Sequence, residues 1–160
     1  MANHIAIRRA FRTDASSVDS LLSEWFDWKP DSGRLESIRR AIAKGELLVA
    51  QDRTLIIGFI HYVAHEDVID GGPNSFITAF YISPSHRGRG VGTLLLERAI
   101  ANSLALGAVG VETSTTQALA RKLYEKLHFK QTTGDIGEVF LELDIHEYLQ
   151  AKKKGSPSKS

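Results

Sequence analysis

The sequence of 160 residues contains no cysteine, one methionine and four prolines. Without cysteine the chain can form no disulfide framework, thiol nucleophile or thiolate metal site. Long hydrophobic runs are also missing, because no apolar stretch approaches the ~20 residues that a membrane-spanning helix needs. The first residues lack the basic and then apolar order of a secretory signal. These absences predict a soluble cytoplasmic protein with no membrane partner.

The chain also has no large excess of either charge, since 20 basic and 19 acidic residues give a formal net charge of +1 at pH 7. The last ten residues, however, carry four lysines and no acid. We therefore expect one domain over residues 1–149 and a disordered basic tail over residues 150–160. The remaining body has a small acidic excess, which suits a cationic small molecule better than nucleic acid.

Hydrophobic periodicity predicts alternating strands and helices. The predicted strands are residues 4–9, 47–50, 55–63, 75–82, 109–113, 129–132 and 138–143. The predicted helices end near Trp28, at Gly45, at Gly107 and at Leu127. Residues 75–82 and 109–113 flank a helix, so those two strands should run parallel, whereas the earlier strands read as antiparallel neighbours. The pattern predicts an α/β fold with one mixed, twisted sheet.

The segment that dominates the sequence is Arg87-Gly88-Arg89-Gly90-Val91-Gly92, which joins a strand to a long helix. A glycine-rich turn at a helix N-terminus directs backbone N–H groups and the positive end of the helix dipole at one point. Glycine keeps side chains away from that point, and arginine adds charge that is suited to phosphate. We therefore expect a ligand that carries a pyrophosphate.

Two nucleotide-binding templates fit this segment poorly. The loop of nucleotide hydrolases needs Gly-Lys-Ser/Thr, which does not occur here. The dinucleotide fingerprint Gly-x-Gly-x-x-Gly is met by Gly88 and Gly90, with Glu112 as a distant acidic residue, but its third glycine falls on Thr93. That loop should also close the first strand–helix unit, and here it lies past the middle of the chain. A dinucleotide-dependent oxidoreductase is the weaker alternative.

A third template, the acyl-coenzyme A loop Arg/Gln-x-x-Gly-x-Gly/Ala, is satisfied by Arg87, Gly90 and Gly92. The segments Tyr81–Gly92 and Gln117–Phe129 resemble the two signatures of the GNAT superfamily of N-acetyltransferases. The second signature is usually read as Asn-x-x-Ala-x-x-Leu-Tyr-Glu-x-x-Gly-Phe. The order of strands and helices is similar to that family over nearly the whole chain.

The resemblance implies a single-domain GNAT-like fold, with about six or seven strands and about four helices. It implies acetyl-coenzyme A as cosubstrate and no metal. In this family the parallel strands splay apart, and the pantetheine arm pairs with the exposed edge of the first of them. The residues that the resemblance assigns to the cofactor are Phe80, Tyr81, Ile82, Arg87, Gly88, Arg89, Gly90, Val91, Gly92, Thr93, Gln117 and Tyr124.

This chain departs from the second signature at two positions. Gln117 stands where the family commonly has asparagine, which affects a side-chain contact to the pantetheine arm. His128 stands where the family commonly has glycine, which affects the C-terminal cap of the helix. The family's closing hairpin also often supports dimers, so a homodimer is possible.

Tyr124 and Glu112 are the candidate catalytic residues. A phenol is protonated at neutral pH and can donate to a departing thiolate, and Tyr124 stands at the family's position for that acid. Glu112, twelve residues earlier, resembles the base of the pair proposed for bacterial acetyltransferases of ribosomal-protein N-termini. His65 and Glu66 are alternative candidates for the general base, and water can also carry the proton away. No Ser/His/Asp arrangement is evident, which favours direct attack by the amine.

The sequence alone does not identify the acceptor amine. Four acidic residues near the first two helices favour a small cationic amine, and Trp25 and Trp28 are candidates for a pocket wall. These acids are Glu24, Asp27, Asp31 and Glu36. A protein N-terminus or lysine is an alternative acceptor, and a catalytically silent acyl-coenzyme A sensor is an alternative function. The loop predicted at His65–Asn74 holds His, Glu and Asp, but their spacing does not favour a metal site.

Overall fold

The computed structural model describes residues 4–69, 71–132 and 139–155, with only the backbone at Val139. The strands are β1 Ile5–Arg9, β2 Leu47–Asp52, β3 Leu55–Asp67, β4 Gly72–Ile82, β5 Gly110–Thr115, β6 Lys130–Gln131 and β7 Val139–Asp144. The helices are α1 Ala15–Phe26, α2 Ser32–Ala43, α3 Val91–Ala105, α4 Ala118–Lys126 and α5 Ile145–Gly155.

The strands form one mixed sheet in the order β1-β2-β3-β4-β5-β7-β6. Neighbouring strands pair in antiparallel fashion at β1–β2, β2–β3, β5–β7 and β6–β7, whereas β4 and β5 are parallel. The chain passes from β4 to β5 through α3, the kind of crossover connection that parallel neighbours need. The predicted α/β fold with a mixed sheet is confirmed. The turn predicted at residues 134–137 lies outside the described residues.

The chain forms two compact units. The first comprises the described parts of residues 1–62 and 78–99, and the second those of residues 63–77 and 100–160. In the first unit, apolar side chains of α1 and α2 pack with those of β2 and β3 in one cluster. Its most buried members include Val18, Ile38, Val49 and Phe59. In the second unit, Val111, Leu141 and Leu143 are almost fully buried on β5 and β7.

The predicted loop at His65–Asn74 is mostly strand, so that prediction is wrong. β3 continues to Asp67 and β4 begins at Gly72, with a tight turn closed by the hydrogen bond from Gly71 N to Asp67 O at 2.9 Å. The polar side chains do not prevent pairing, because Asn74 is buried and donates to Asp67 Oδ2 at 3.3 Å. A buried polar side chain that has a hydrogen-bond partner is compatible with strand pairing, although the Oδ1 atom of Asn74 has no partner among the described residues.

The basic segment is also more ordered than its composition predicts. Residues 150–155 belong to α5, which buries Ile145 and Tyr148, while residues 156–160 lie outside the described part of the chain. Asp144 directly precedes the helix, and its carboxylate accepts from Glu147 N at 2.8 Å. Asp-x-x-Glu before an apolar residue is a helix-start signal, so the helix was readable from the sequence. The domain boundary at residue 149 stays a prediction.

Candidate functional site

The parallel pairing between β4 and β5 ends partway along both strands. It runs from Asn74–Gly110 to Ile77–Thr113, all within the second unit. The remaining residues of β4, Thr78–Ile82, belong to the first unit. On its other edge, β4 lies close to β3 at Gly58, where an added Cβ would be 2.8 Å from Tyr81 O. The ladder thus ends five residues before β4 does, so the two parallel strands separate there as the resemblance predicts.

The glycine-rich loop has the geometry that an anion site requires. Gly88 and Gly90 have φ of 71° and 80°, in the left-handed region that favours glycine, and α3 begins at Val91. A Cβ at either glycine would meet no atom within 4 Å, so the space beside both glycines is open. The N-terminal N–H groups of α3 have no partner within the helix itself and suit a phosphate.

Arg87 and Arg89 have different environments. Arg87 Nε donates to Ile82 O at 2.9 Å, and its guanidinium lies 5.3 Å from the Tyr81 ring centroid. Arg89 is exposed within the loop. Arg87 therefore fixes the loop to the end of β4, while Arg89 supplies positive charge toward the solvent.

Glu24 of α1 joins the end of β4 through two hydroxyl groups. Tyr81 Oη donates to Glu24 Oε1 at 2.9 Å, and Ser83 Oγ donates to the same oxygen at 3.3 Å. Burial and the neighbouring carboxylate raise the pKa of Tyr81, so its hydroxyl stays protonated and donating. Trp25 stacks on Tyr81 with ring centroids 5.2 Å apart. Of the four acids near the helix pair, Glu24 is thus hydrogen-bonded to the predicted cofactor strand.

Two of the other acids serve local structure. Asp31 caps α2 by accepting from Arg34 N at 2.8 Å, and Glu36 lies 3.4 Å from Arg39 on the same helix. Asp27 ends α1 with φ of 53°, so the helix stops at Phe26 and the prediction that it continues to Trp28 is wrong.

Tyr124 is the buried residue of α4. It is 3% exposed, whereas Leu119 on the same helix is 76% exposed. Burial raises the pKa of Tyr124 to about 12, and a hydrogen bond with the Thr113 side chain opposes that increase. Thr113 Oγ1 also donates to Ile77 O at 3.3 Å, at the last pair of the parallel ladder. Thr113 was not singled out from the sequence, because an alternating strand residue carries no signal of its own.

Glu112 lies beside His65 in the second unit. Their closest atoms, His65 Nε2 and Glu112 Oε2, are 3.4 Å apart, and the two side chains are 40% and 31% exposed. The proposed base, Glu112, therefore lies next to His65, one of the two alternative bases. The other alternative, Glu66, is exposed. Gln117 precedes α4, with its N–H donating to Thr115 Oγ1 at 3.1 Å. His128 adopts φ of 71°, so it takes the cap conformation of the family's glycine.

Comparisons with known proteins place these features in a family. The family model described as the acetyltransferase (GNAT) family matches residues 8–129. No curated protein matches the sequence. None of the described helices has the length and apolar character that crossing a membrane requires. The described ranges also contain no group of three or more His, Asp or Glu side chains that could hold a metal ion.

Solved structures share the fold at low sequence identity. An N-acetyltransferase from Staphylococcus aureus Mu50 has a TM-score of 0.74 at 19% identity, covering 88% of this chain and 98% of that one. A putative acetyltransferase from Salmonella typhimurium with its cofactor acetyl-CoA has a TM-score of 0.73 at 20% identity, covering 88% and 94%. The polyamine N-acetyltransferase of Drosophila melanogaster has a TM-score of 0.75 at 13% identity, covering 88% and 99%.

Proposed function

Because the chain belongs to the acetyltransferase (GNAT) family and is an acyltransferase that uses acetyl-coenzyme A, we propose that it acetylates small cationic primary amines. The amine attacks the thioester directly, with both substrates bound at once. The observation that carries this proposal is Glu24, a carboxylate hydrogen-bonded to the end of β4, the strand that leads into the cofactor loop.

The cofactor's pyrophosphate binds at the N–H groups of Gly88 to Thr93, with Arg89 adding charge. Its pantetheine arm pairs with Phe80–Ile82 like an added strand, since an amide-containing arm can use the backbone donors and acceptors of such an edge. A backbone N–H near Ile82 polarises the thioester carbonyl. Gln117 contacts the pantetheine arm, because it stands at the position of the second signature whose side chain makes that contact in the family.

Tyr124 acts as a hydrogen-bond donor to the departing thiolate. A thiol has a pKa of about 8.5, whereas that of Tyr124 is about 12, so full proton transfer would be uphill by roughly 5 kcal/mol. A phenol that stays protonated still stabilises a nearby anion through a charge-assisted hydrogen bond. Its raised pKa therefore favours donation over complete transfer.

Glu112 takes the first proton of the acceptor. An amine enters from water mainly as an ammonium ion, and it must lose one proton before its lone pair can attack. A half-buried carboxylate can accept that proton directly or through water. His65, 3.4 Å away, orients the carboxylate and provides a route to solvent.

The test is coenzyme A thiol release from acetyl-coenzyme A with polyamines, aminoglycosides, amino acids and peptides. We expect release with a cationic small amine, and a fall in kcat of about 10- to 100-fold in Tyr124→Phe. Tyr148→Phe is the matched control, because it removes the hydroxyl of a second buried tyrosine, which lies in α5 rather than in α4.

Each result bears on a different part of the proposal. Release with peptides alone would replace the small amine by a protein N-terminus or lysine. Binding of acetyl-coenzyme A without release from any acceptor would favour the silent sensor. Equal loss in both tyrosine variants would show a packing effect and remove Tyr124 from the chemistry.

A further inference from the structure

Four aromatic rings form one stack in the first unit, although one of them is far from the others in the sequence. Trp25 of α1 stacks on Tyr81 of β4, with ring centroids 5.2 Å apart and ring planes inclined by 15°. Phe26 stacks on Trp25 at 4.5 Å, and Trp28 stacks on Phe26 at 4.3 Å. We call these four residues the aromatic stack.

The aromatic stack extends from the interior of the unit to its surface. Tyr81 is 6% exposed and Trp25 is half-buried, whereas Phe26 and Trp28 are 41% and 54% exposed. Contact with water is unfavourable for large apolar rings, and adjacent exposed rings mark a binding surface more often than scattered ones do. The outer end of the stack is therefore suited to a ligand that covers it.

The faces of the rings are already in contact with other groups. Within the stack, each ring lies against the face of its neighbour. At the two ends, the guanidinium group of Arg87 lies 5.3 Å from the Tyr81 centroid, and that of Arg34 lies 5.8 Å from the Trp28 centroid. A second cation gains little at faces where an arginine is already bound, so these faces favour a bare polyamine only weakly.

The edges of the rings differ from the faces in their electrostatic character. An aromatic ring carries partial negative charge on its faces and partial positive charge at its edge. Because stacking covers faces, the edges of Phe26 and Trp28 contribute strongly to the surface that these residues expose. Such edges attract the negative face of another aromatic ring in an edge-to-face contact. The outer end of the stack therefore favours a ligand that contains an aromatic ring.

Tyr81 connects the aromatic stack to the carboxylate that is proposed to bind the acceptor. Its ring stacks on Trp25, and its hydroxyl donates to Glu24 Oε1 at 2.9 Å. Glu24 also directly precedes Trp25 in α1. The carboxylate and the stack thus share one neighbour, so a ligand with a short arm between its charge and its ring can contact both.

The charges around the stack complement a cationic ligand. Residues 24–31 contain three acids against one base, Lys29, and all four of these residues are exposed. The charge of Arg34 is offset by Asp19, whose carboxylate accepts from Arg34 Nε. An ammonium group therefore suits the carboxylates of this segment, while an aromatic ring suits the ring edges beside them.

We propose that the acceptor is an arylalkylamine, in which a short carbon chain joins a primary amine to an aromatic ring. Its ammonium group binds Glu24, and its ring lies against the exposed edges of the aromatic stack. This inference rests on the proposed acetyl transfer and names the substrate class of its acceptor site. A linear polyamine would place a second charge where the stack offers ring edges.

The first test compares three amines by thiol release from acetyl-coenzyme A. Phenethylamine represents the expected class, cyclohexylethylamine has a similar size without an aromatic face, and putrescine carries a second charge instead of a ring. We expect kcat/KM for phenethylamine to exceed that for cyclohexylethylamine about 2- to 10-fold, the usual effect of an aromatic contact beyond burial, and to exceed that for putrescine further. Equal values for the two ring amines, or a higher value for putrescine, would overturn the inference while acetyl transfer to small amines stands.

Variants at the outer end of the stack test the same contact from the side of the protein. Phe26→Leu and Trp28→Leu keep an apolar side chain but remove a ring edge. We expect each to raise the KM for phenethylamine about 2- to 10-fold, with the KM for putrescine and for acetyl-coenzyme A within about twofold. Phe11→Leu is the matched control, because Phe11 is an exposed phenylalanine of the same unit outside the stack. A comparable rise in this control, or an equal rise for putrescine, would overturn the ring contact.

A second readout does not depend on acetyl transfer. The chain has two tryptophans, both in the aromatic stack, so their indole N–H signals in NMR of the whole protein report on the stack. Phenethylamine should shift these signals through its ring current, and cyclohexylethylamine should shift them much less, with Trp28→Leu assigning each signal. Unmoved indole signals together with thiol release would overturn the inference alone. Shifted signals without thiol release from any amine would overturn the proposed function, and with it the role of these amines as substrates.

Discussion

At the scale of single residues, the proposed binding of a cationic amine depends more on the hydroxyl groups that orient Glu24 than on the number of acidic residues nearby. Its Oε1 accepts from both Tyr81 and Ser83, which holds the carboxylate in one orientation and leaves Oε2 without a donor from these two hydroxyls. A carboxylate held in one orientation suits an ammonium group as a partner, because hydrogen bonds between charged groups are among the stronger ones.

We expect Glu24→Gln to raise the KM for a cationic acceptor about 5- to 30-fold, the effect of losing 1–2 kcal/mol of charge-assisted binding. The KM for acetyl-coenzyme A should change little. Initial-rate kinetics at fixed saturating cosubstrate will measure both values. Glu36→Gln removes the same charge from the exposed pair with Arg39 and serves as the control. An equal rise in both variants would point to the overall charge rather than to Glu24.

At the scale of elements, the loop between β4 and α3 has a glycine-dependent backbone conformation on which the proposed pyrophosphate binding depends. Gly90 has φ of 80°, and its carbonyl accepts from Leu94 N at 3.1 Å in the first turn of α3. The conformation at this one residue therefore sets the direction in which the N-terminal N–H groups of the helix point.

We expect Gly90→Ala to weaken acetyl-coenzyme A binding about 5- to 30-fold. An L-residue in the left-handed region costs roughly 1–2 kcal/mol, and the loop can relieve that strain by leaving its binding conformation. Titration calorimetry with coenzyme A measures the change. Gly155→Ala, at a glycine without positive φ and with no neighbour within 4 Å, should bind normally. Unchanged affinity in Gly90→Ala would exclude the loop as the pyrophosphate site.

At the scale of the whole molecule, stability depends in part on an ion pair that joins β1 to the segment before α1. Asp14, before α1, accepts from Arg8 Nη1 of β1 at 2.7 Å and from Phe11 N at 2.6 Å. The Arg8 hydrogen bond lowers the pKa of Asp14 below its ordinary value of 3.8. The folded state therefore holds this carboxylate charged more firmly than the unfolded state does.

We expect Asp14→Asn to lower the free energy of unfolding at pH 7 by about 1–3 kcal/mol, because it leaves a part-buried guanidinium poorly matched. A depressed pKa stabilises the fold above the unfolded value, and this contribution is lost as pH falls through the folded value. The difference from wild type should therefore shrink below about pH 4. Urea unfolding at several pH values measures it. Glu147→Gln, in an exposed pair with Lys130, should change stability much less.

A feature of the fold could be predicted from the sequence when it depends on residues that are contiguous in the chain. The glycine-rich loop, the core of α2 and the start of α3 follow from contiguous residues, so their periodicity and turn chemistry could be read directly. The strand ends at Asp67 and Gly72 could not, because cross-strand partners satisfy polar side chains that a sequence pattern assigns to a loop.

The sequence by itself determined the glycine-rich loop before α3, the alternation of strands and helices, and the family, because these depend on neighbouring residues and their spacing. Only the tertiary structure decided that Tyr124 is buried, that Glu112 lies beside His65, and that Tyr81 stacks on Trp25. Each of these depends on strand register or on burial between elements far apart in the chain. Strand pairing brings such residues together through long-range packing that no local pattern records.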